Sequence, residues 1–203
     1  MKKNKKIILW IVSILSVLVL LPGGMYMMRN RAVVTSREQT AAAPHSLQDK
    51  RVLLVYYSWS GTTRDVIYEI RKKTGGDVYE LVPEKPYTGS HSEVSEQAKE
   101  EQEQAYRPKI KNPLPDLALY DVIILGYPIW WYEEPMIVDS FLAAATWEGK
   151  IILPFCTSGG STVDQSVDNI RRQAHGATVL PGLTLPNGSG TDGLSEWLSE
   201  SGF

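Results

Sequence analysis

The sequence predicts an α/β domain over residues 50–203: a five-stranded parallel sheet, doubly wound, with helices on both faces. Three observations predict it. Apolar strand-like runs alternate with amphipathic helical stretches from Arg51 onward, the pattern of strands joined by helical crossovers. Two of those runs, Val52-Leu-Leu-Val-Tyr-Tyr57 and Val122-Ile-Ile-Leu125, are apolar throughout, as strands covered on both faces must be. The loops after strands one, three and four are also chemically unlike the other connections, being rich in hydroxyls, aromatics and glycine respectively. Right-handed crossovers place those three loops at one edge of the sheet, where the strand order reverses.

Ahead of the domain, Lys2, Lys3, Lys5 and Lys6 precede an apolar run from Ile7 to Leu21. This is the order of a signal peptide or signal anchor. Extended to Met28, the run gives roughly 33 Å of helix at ~1.5 Å per residue, enough to span a bilayer. The expectation is a membrane anchor over residues 1–28, with the domain extracytoplasmic. A cleaved signal with a secreted product and a helix buried in the domain are the alternatives. Residues 29–49 are polar, with an Ala-Ala-Ala-Pro stretch, and read as a flexible linker. Charge divides at the same place: residues 1–49 carry a net +5 and residues 50–203 a net −7. An acidic domain argues against nucleic acid as a partner, because neutralising phosphates needs a basic face.

Strand one, Arg51–Tyr57, stops at Ser58, Ser60, Thr62 and Thr63 around Gly61, and helix one runs from Thr63 to Lys73. A helix start with unpaired N–H groups and a partial positive charge attracts an anion. The hydroxyl loop adds donors without bulk, so this stretch reads as a phosphate site without a lysine. Lacking the Walker lysine, it does not suit a nucleoside triphosphate. Asp77–Val82 alternates and reads as a half-exposed strand near an edge. Ser92–Tyr106 reads as a solvated helix with a thin stripe of Val94, Ala98 and Ala105.

Leu119–Gly126 is the third strand, followed by the aromatic loop Tyr127–Tyr132 and a helix over Pro135–Thr146. Trp130, Trp131 and Tyr132 in a row cannot all enter a core, and they read as a wall for a flat ring. Lys150–Cys156 is strand four. Thr157–Ser161 is a loop whose glycines admit close backbone approach. Val163–Ala174 is helical, Ala177–Leu185 is a weaker fifth strand, and Asp192–Ser201 is a short last helix.

Other motifs carry less. Gly188-Ser-Gly190-Thr-Asp-Gly193 matches a dinucleotide fingerprint, but too little chain follows it to build the required unit. His45, His91 and His175 lie apart, with no Cys/His pair at ligand spacing, so no metal is expected. No G-x-S-x-G occurs, which disfavours a hydrolase. Cys156, the only cysteine, forms no intrachain disulfide and reads as a packed, inert thiol.

Together, Tyr57-Ser-Trp-Ser-Gly-Thr-Thr63, Gly126-Tyr-Pro-Ile-Trp-Trp131 and Phe155-Cys-Thr-Ser-Gly-Gly-Ser161 resemble the flavodoxin-like proteins. They are most similar to a bacterial subgroup with YSxSGxT, GxPIWW and TSGGS motifs, over about residues 51–185. The resemblance implies strand order 2-1-3-4-5 and bound FMN. It implies that Ser58, Trp59 (through its backbone), Ser60, Gly61, Thr62 and Thr63 hold the phosphate. Pro128, Ile129, Trp130 and Trp131 would border the isoalloxazine, and Thr157, Ser158, Gly159 and Gly160 its far edge. Thr62 stands where the family often has Asn, and Tyr132-Glu133-Glu134 where a small residue is common. The acidic pair is expected beside the ring, disfavouring its reduced anion or narrowing the opening. With the cofactor doing the chemistry, no catalytic side chain is expected. The function implied is electron transfer or a flavin-dependent oxidoreductase of quinone-like or nitro-like substrates, with donor and acceptor unspecified; the N-terminal run, which soluble flavodoxins lack, adds the expectation of a membrane location. The rival is a redox-inactive binding or scaffold domain of the same fold.

Overall fold

The computed structural model describes residues 46–203. The apolar run, its basic flank and most of the linker lie outside the described residues, and the anchor expectation lies there with them. No helix among the described residues is long and apolar enough to cross a membrane. The linker assigned to residues 29–49 ends inside the domain: Leu47 is fully buried, and its N–H donates to the Gly202 carbonyl at 2.7 Å. One leucine in a polar stretch has no periodicity to announce it.

Strand β1 (Val52–Tyr56) is followed by helix α1 (Thr62–Thr74), then β2 (Asp77–Glu80) and α2 (His91–Glu103). A single 3-10 turn, Leu117–Leu119, leads into β3 (Val122–Pro128) and α3 (Met136–Ala143). Then come β4 (Ile151–Ser158), α4 (Asp164–Gln173), β5 (Thr178–Val179), β6 (Leu183–Pro186) and α5 (Leu194–Glu200). The sheet is parallel in the order β2-β1-β3-β4-β5, with β6 also paired to β4. The expected fifth strand is thus one position broken in two. Pro181, which has no N–H to give to a ladder, lies in the break.

Alternation along the strands assigns the two faces. Leu53, Val55, Ile123, Leu125 and Ile152 pack toward α3 and α4 with Ile137, Val138, Phe141, Val167 and Ile170. Val52, Leu54, Val122, Ile124, Leu153 and Phe155 pack toward α1 and α5 with Val66, Ile67, Ile70, Leu194 and Trp197. Helices therefore cover both faces, and β2 is the half-exposed edge strand.

Gly126 sits in register between Tyr56 and Phe155. A Cβ there would come within 2.3 Å of the Phe155 ring, so glycine is what lets that ring lie across β3. Helix α2 begins with a reciprocal capping box, Ser90 with Glu93. Its buried stripe is Val94, Ala98 and Glu101. Ala105, expected on that stripe, lies beyond the helix at φ 48° and is exposed. Glu101 takes the buried place because Tyr87 Oη (2.5 Å) and Gln97 Nε2 (2.9 Å) satisfy its carboxylate.

Candidate functional site

The loop after β1 is folded by its own hydroxyls. Ser58 Oγ accepts from the Gly61 N–H at 3.1 Å, and Ser60 Oγ and Thr62 Oγ1 lie 3.1 Å apart. Gly61 stands at the N-cap of α1 with φ 96°, in the left-handed region that glycine enters without strain. No side chain caps α1. Its first-turn N–H groups and positive dipole end are left for an external anion. A cation that sequence reading overlooked also lies here. The Arg64 guanidinium folds back over the loop, so that a Cβ on Gly61 would lie 3.0 Å from Nη2. Only the side-chain path, not the motif, reveals it.

Thr63 takes a different place. It is 1% exposed, and its hydroxyl pairs with Thr157 Oγ1 at 2.8 Å. The bond ties the first loop to the end of β4 beneath the third. Thr63→Val alone leaves the Thr157 hydroxyl buried without a partner and is expected to cost about 1–3 kcal/mol, whereas the Thr63→Val/Thr157→Val double variant is expected to be near wild type. Urea unfolding midpoints measure both. A double variant no better than the single would remove the strut.

The aromatic loop is a tight turn. Trp130 and Glu133 exchange backbone hydrogen bonds at 2.9 and 3.2 Å, while Trp131 (φ 49°) and Tyr132 (φ 73°) are left-handed between them. Two non-glycine residues there cost on the order of 1–3 kcal/mol each, and the surroundings hold the turn. On the α2 side, Gln102 Nε2 donates to the Trp130 carbonyl at 2.9 Å and Trp131 Nε1 to the Ser95 carbonyl at 2.7 Å. Lys99 Nζ sits 5.3 Å from the centre of the Trp131 ring. On the α4 side, Gln165 Nε2 donates to Glu133 Oε1 at 2.9 Å. Trp130 is half-buried, edge-on to Tyr57 and Tyr87 at 5.5 and 5.1 Å between ring centres. Trp131 and Tyr132 are 43% and 63% exposed and form the rim. The expectation that Glu133 and Glu134 lie beside the ring fails: Glu133 does not line the cleft and its carboxylate is taken by Gln165, while Glu134 turns away from the opening and is 1% exposed in the core. Its position one residue past a strained turn decides this, and sequence has no signal for it.

In the third loop, Ser158 Oγ accepts from the N–H groups of Gly160 (3.1 Å) and Ser161 (2.9 Å). Those two donors serve the loop's own shape. Upstream, burial pushes the Cys156 thiol up to about 12, so it stays protonated and unreactive at neutral pH.

The three loops enclose a cleft of about 410 Å³, in the range that suits a small-molecule ligand. Of the residues expected from sequence, it brings together Trp59, Ile129, Trp130, Trp131, Ser158, Gly159 and Gly160. Ser58, Ser60, Gly61 and Thr62 form the adjoining loop and helix start, while Pro128, Thr63 and Thr157 are not among the lining residues. The cleft adds Tyr132 and Ser161, and a wall that the motifs do not contain: His91, Val94 and Ser95 of the first turns of α2. His91 meets Trp59 edge-on at 6.0 Å, and Trp59 Nε1 donates to the Tyr87 carbonyl at 3.3 Å. The arrangement suits an elongated ligand with a flat aromatic end among Trp59, Trp130 and Trp131 and an anionic end at α1.

A family model described as flavodoxin matches residues 51–201. Among solved structures, the chain is similar to a candidate flavoprotein from Bacteroides eggerthii DSM 20697, at 30% identity and a TM-score of 0.67, over 74% of this chain and 97% of that one. A candidate flavoprotein from Bacteroides uniformis ATCC 8492 gives 28% identity and 0.67, over 73% and 97%. A flavoprotein from Lactobacillus acidophilus NCFM, in complex with FMN, shares the fold at 22% identity and 0.60, over 73% and 99%. No curated protein matches the chain.

Proposed function

The chain belongs to the flavodoxin family, and from that premise we propose that it is an FMN-binding redox protein acting in electron transfer or as a flavin-dependent oxidoreductase. The observation that supports this best is the pairing of two features at one sheet edge. One is the α1 N-terminus, with no side-chain cap and Arg64 folded beside it. The other is an aromatic-walled cleft of about 410 Å³.

Ser58, Ser60, Gly61, Thr62 and the first-turn N–H groups of α1 would hold the phosphate. Arg64 would add the positive charge that a lysine supplies in other phosphate loops. Trp59, Ile129, Trp130 and Trp131 would border the ring, and Ser158, Gly159 and Gly160 would face its far edge. Thr63 and Thr157 act one step removed, by locking the first loop to β4. Bound FMN would supply one- or two-electron transfer at its ring. The protein's part is to place that ring, to keep water from its buried side through the indoles, and to balance the phosphate charge at α1. Nothing in this division of labour asks a side chain to act as nucleophile.

We infer the membrane tether from the basic residues ahead of the apolar run 7–21. It would hold the redox domain close to lipid-soluble electron partners.

The test is to purify the full chain with added FMN and look for a retained yellow chromophore. The expected result is about one flavin per chain, bleached by dithionite and restored by a quinone. A colourless protein would sink the FMN reading, and a bound flavin that cannot be reduced would favour the scaffold alternative. Recovery of the chain in the soluble fraction of its cells would overturn the tether separately.

A further inference from the structure

Behind the aromatic turn lies a buried polar cluster that flavin binding does not itself require. Glu134 Oε2 and Ser166 Oγ lie 2.5 Å apart, a pair in which a neutral carboxyl can donate, and Oε1 accepts from Asn169 Nδ2 at 2.6 Å. Ser166 Oγ lies 2.8 Å from Tyr127 Oη, and both residues are fully buried. From α3, Asp139 stands behind Glu134 at 4% exposure. Its carboxylate is taken by Arg107 Nη1 at 3.1 Å and Gln173 Nε2 at 2.9 Å. Cys156 of β4 lies near Tyr127. On the outer side of α4, Arg172 donates to Asn169 Oδ1 at 3.2 Å, and Asp168 is paired with Arg171. Among the described residues, no cation lies within salt-bridge distance of Glu134.

An unpaired buried carboxylate beside a second one is costly, so one of the two keeps a proton. Arg107 places its charge on Asp139, and the proton belongs on Glu134. Burial first, and Asp139 second, push Glu134 up to about 8. The backbone of Glu133, one residue earlier, closes the turn that holds Trp131 and Tyr132 at positive φ.

We propose that Glu134 is a positioning residue: its neutral carboxyl, bonded to Ser166 and Asn169, pegs the Trp130–Glu133 turn to α4, and loss of its proton loosens the aromatic wall of the cleft. Ionisation leaves a charge whose relief is water, and water is reached by drawing Glu134 outward with the turn attached. The sign of the stability effect follows. A carboxyl raised in the folded state contributes stability that is full below about 4.5, its unfolded value, and is lost as pH rises through about 8.

The test compares the full-length wild type, E134Q and E134A. Glutamine keeps the neutral carboxyl's shape and cannot ionise. The first readout rests on the FMN reading: FMN affinity by flavin fluorescence between pH 7 and 9, above the second ionisation of a phosphate monoester at ~6. Wild type is expected to weaken by up to about tenfold, the limit for a group titrating near 8, and E134Q by less than about twofold. The second readout needs no flavin: near-UV circular dichroism of the tryptophans in the apo-protein. It should change in wild type with a midpoint near 8, stay flat in E134Q, and start loosened in E134A. A wild-type chain that binds no FMN at pH 7 defeats the FMN reading, and the dichroism still decides the peg. An E134Q profile that follows wild type, or a wild type flat in both readouts, overturns the proposal.

Discussion

A Thr62→Asp variant is expected to fold at least as stably as wild type, to bind FMN at least about a hundredfold more weakly, and to bind riboflavin unchanged. Thr62 is the first residue of α1 and is exposed. A carboxylate there meets a helix start that no side chain caps, which adds about 0.3–1 kcal/mol through the dipole and first-turn N–H groups. The same carboxylate repels a phosphate in that cradle. Two unit charges about 4 Å apart near a protein surface interact by about 4 kcal/mol, and a hundredfold loss needs about 2.8 kcal/mol. Riboflavin has no phosphate and escapes the penalty. Fluorescence titration with both flavins, and a melt of the apo-protein, measure the three outcomes. Equal loss for FMN and riboflavin, or loss for neither, would mean that the phosphate lies away from α1.

Gly126→Ala is expected to be the most damaging single-methyl change in the sheet. The added Cβ lands 2.3 and 2.4 Å from two carbons of the Phe155 ring. That ring is fully buried and lies edge-on to Trp197 at 6.3 Å, so it has nowhere to move. Overpacking of this kind costs about 1–3 kcal/mol or more, which corresponds to a fall in Tm of about 3–10 °C for a domain of this size. Phe155→Leu removes the obstructing ring edge at its own cavity cost. The Gly126→Ala/Phe155→Leu double variant should therefore lose less than the sum of the singles, a coupling that a double-mutant cycle reads directly. Additive losses would show that the clash is relieved elsewhere. Because Tyr127 follows at once, strain at Gly126 is also strain at the root of the aromatic turn.

The two variants probe opposite kinds of information. Loss of phosphate contact at Thr62 is foreseeable from Ser58–Thr63 alone, because a hydroxyl-and-glycine loop before a helix has one electrostatic meaning. The clash at Gly126 is not, because Phe155 is its neighbour only across the β3–β4 register.

By itself the sequence determined the alternation of strands and helices, the buried central strands, and the three loops that meet at one sheet edge. Each of these rests on local periodicity or on residues adjacent in the chain, which set backbone form without reference to distant partners. The tertiary structure alone decided where particular side chains point. Thr63 faces inward because Thr157 waits at the end of β4. Arg64 folds back over Gly61. His91, Val94 and Ser95 become a cleft wall because α2 packs beside the aromatic turn. Leu47 belongs to the domain because it packs in the core cluster with Leu194, Trp197 and Leu198 and its N–H donates to the Gly202 carbonyl. Glu134, which looks like a surface charge next to Glu133, is buried because Ser166 and Asn169 on α4 satisfy its oxygens. A loop or helix-start side chain has several staggered directions open to it. Contacts from residues far away in the chain choose among them, and those contacts exist only once the layers have packed.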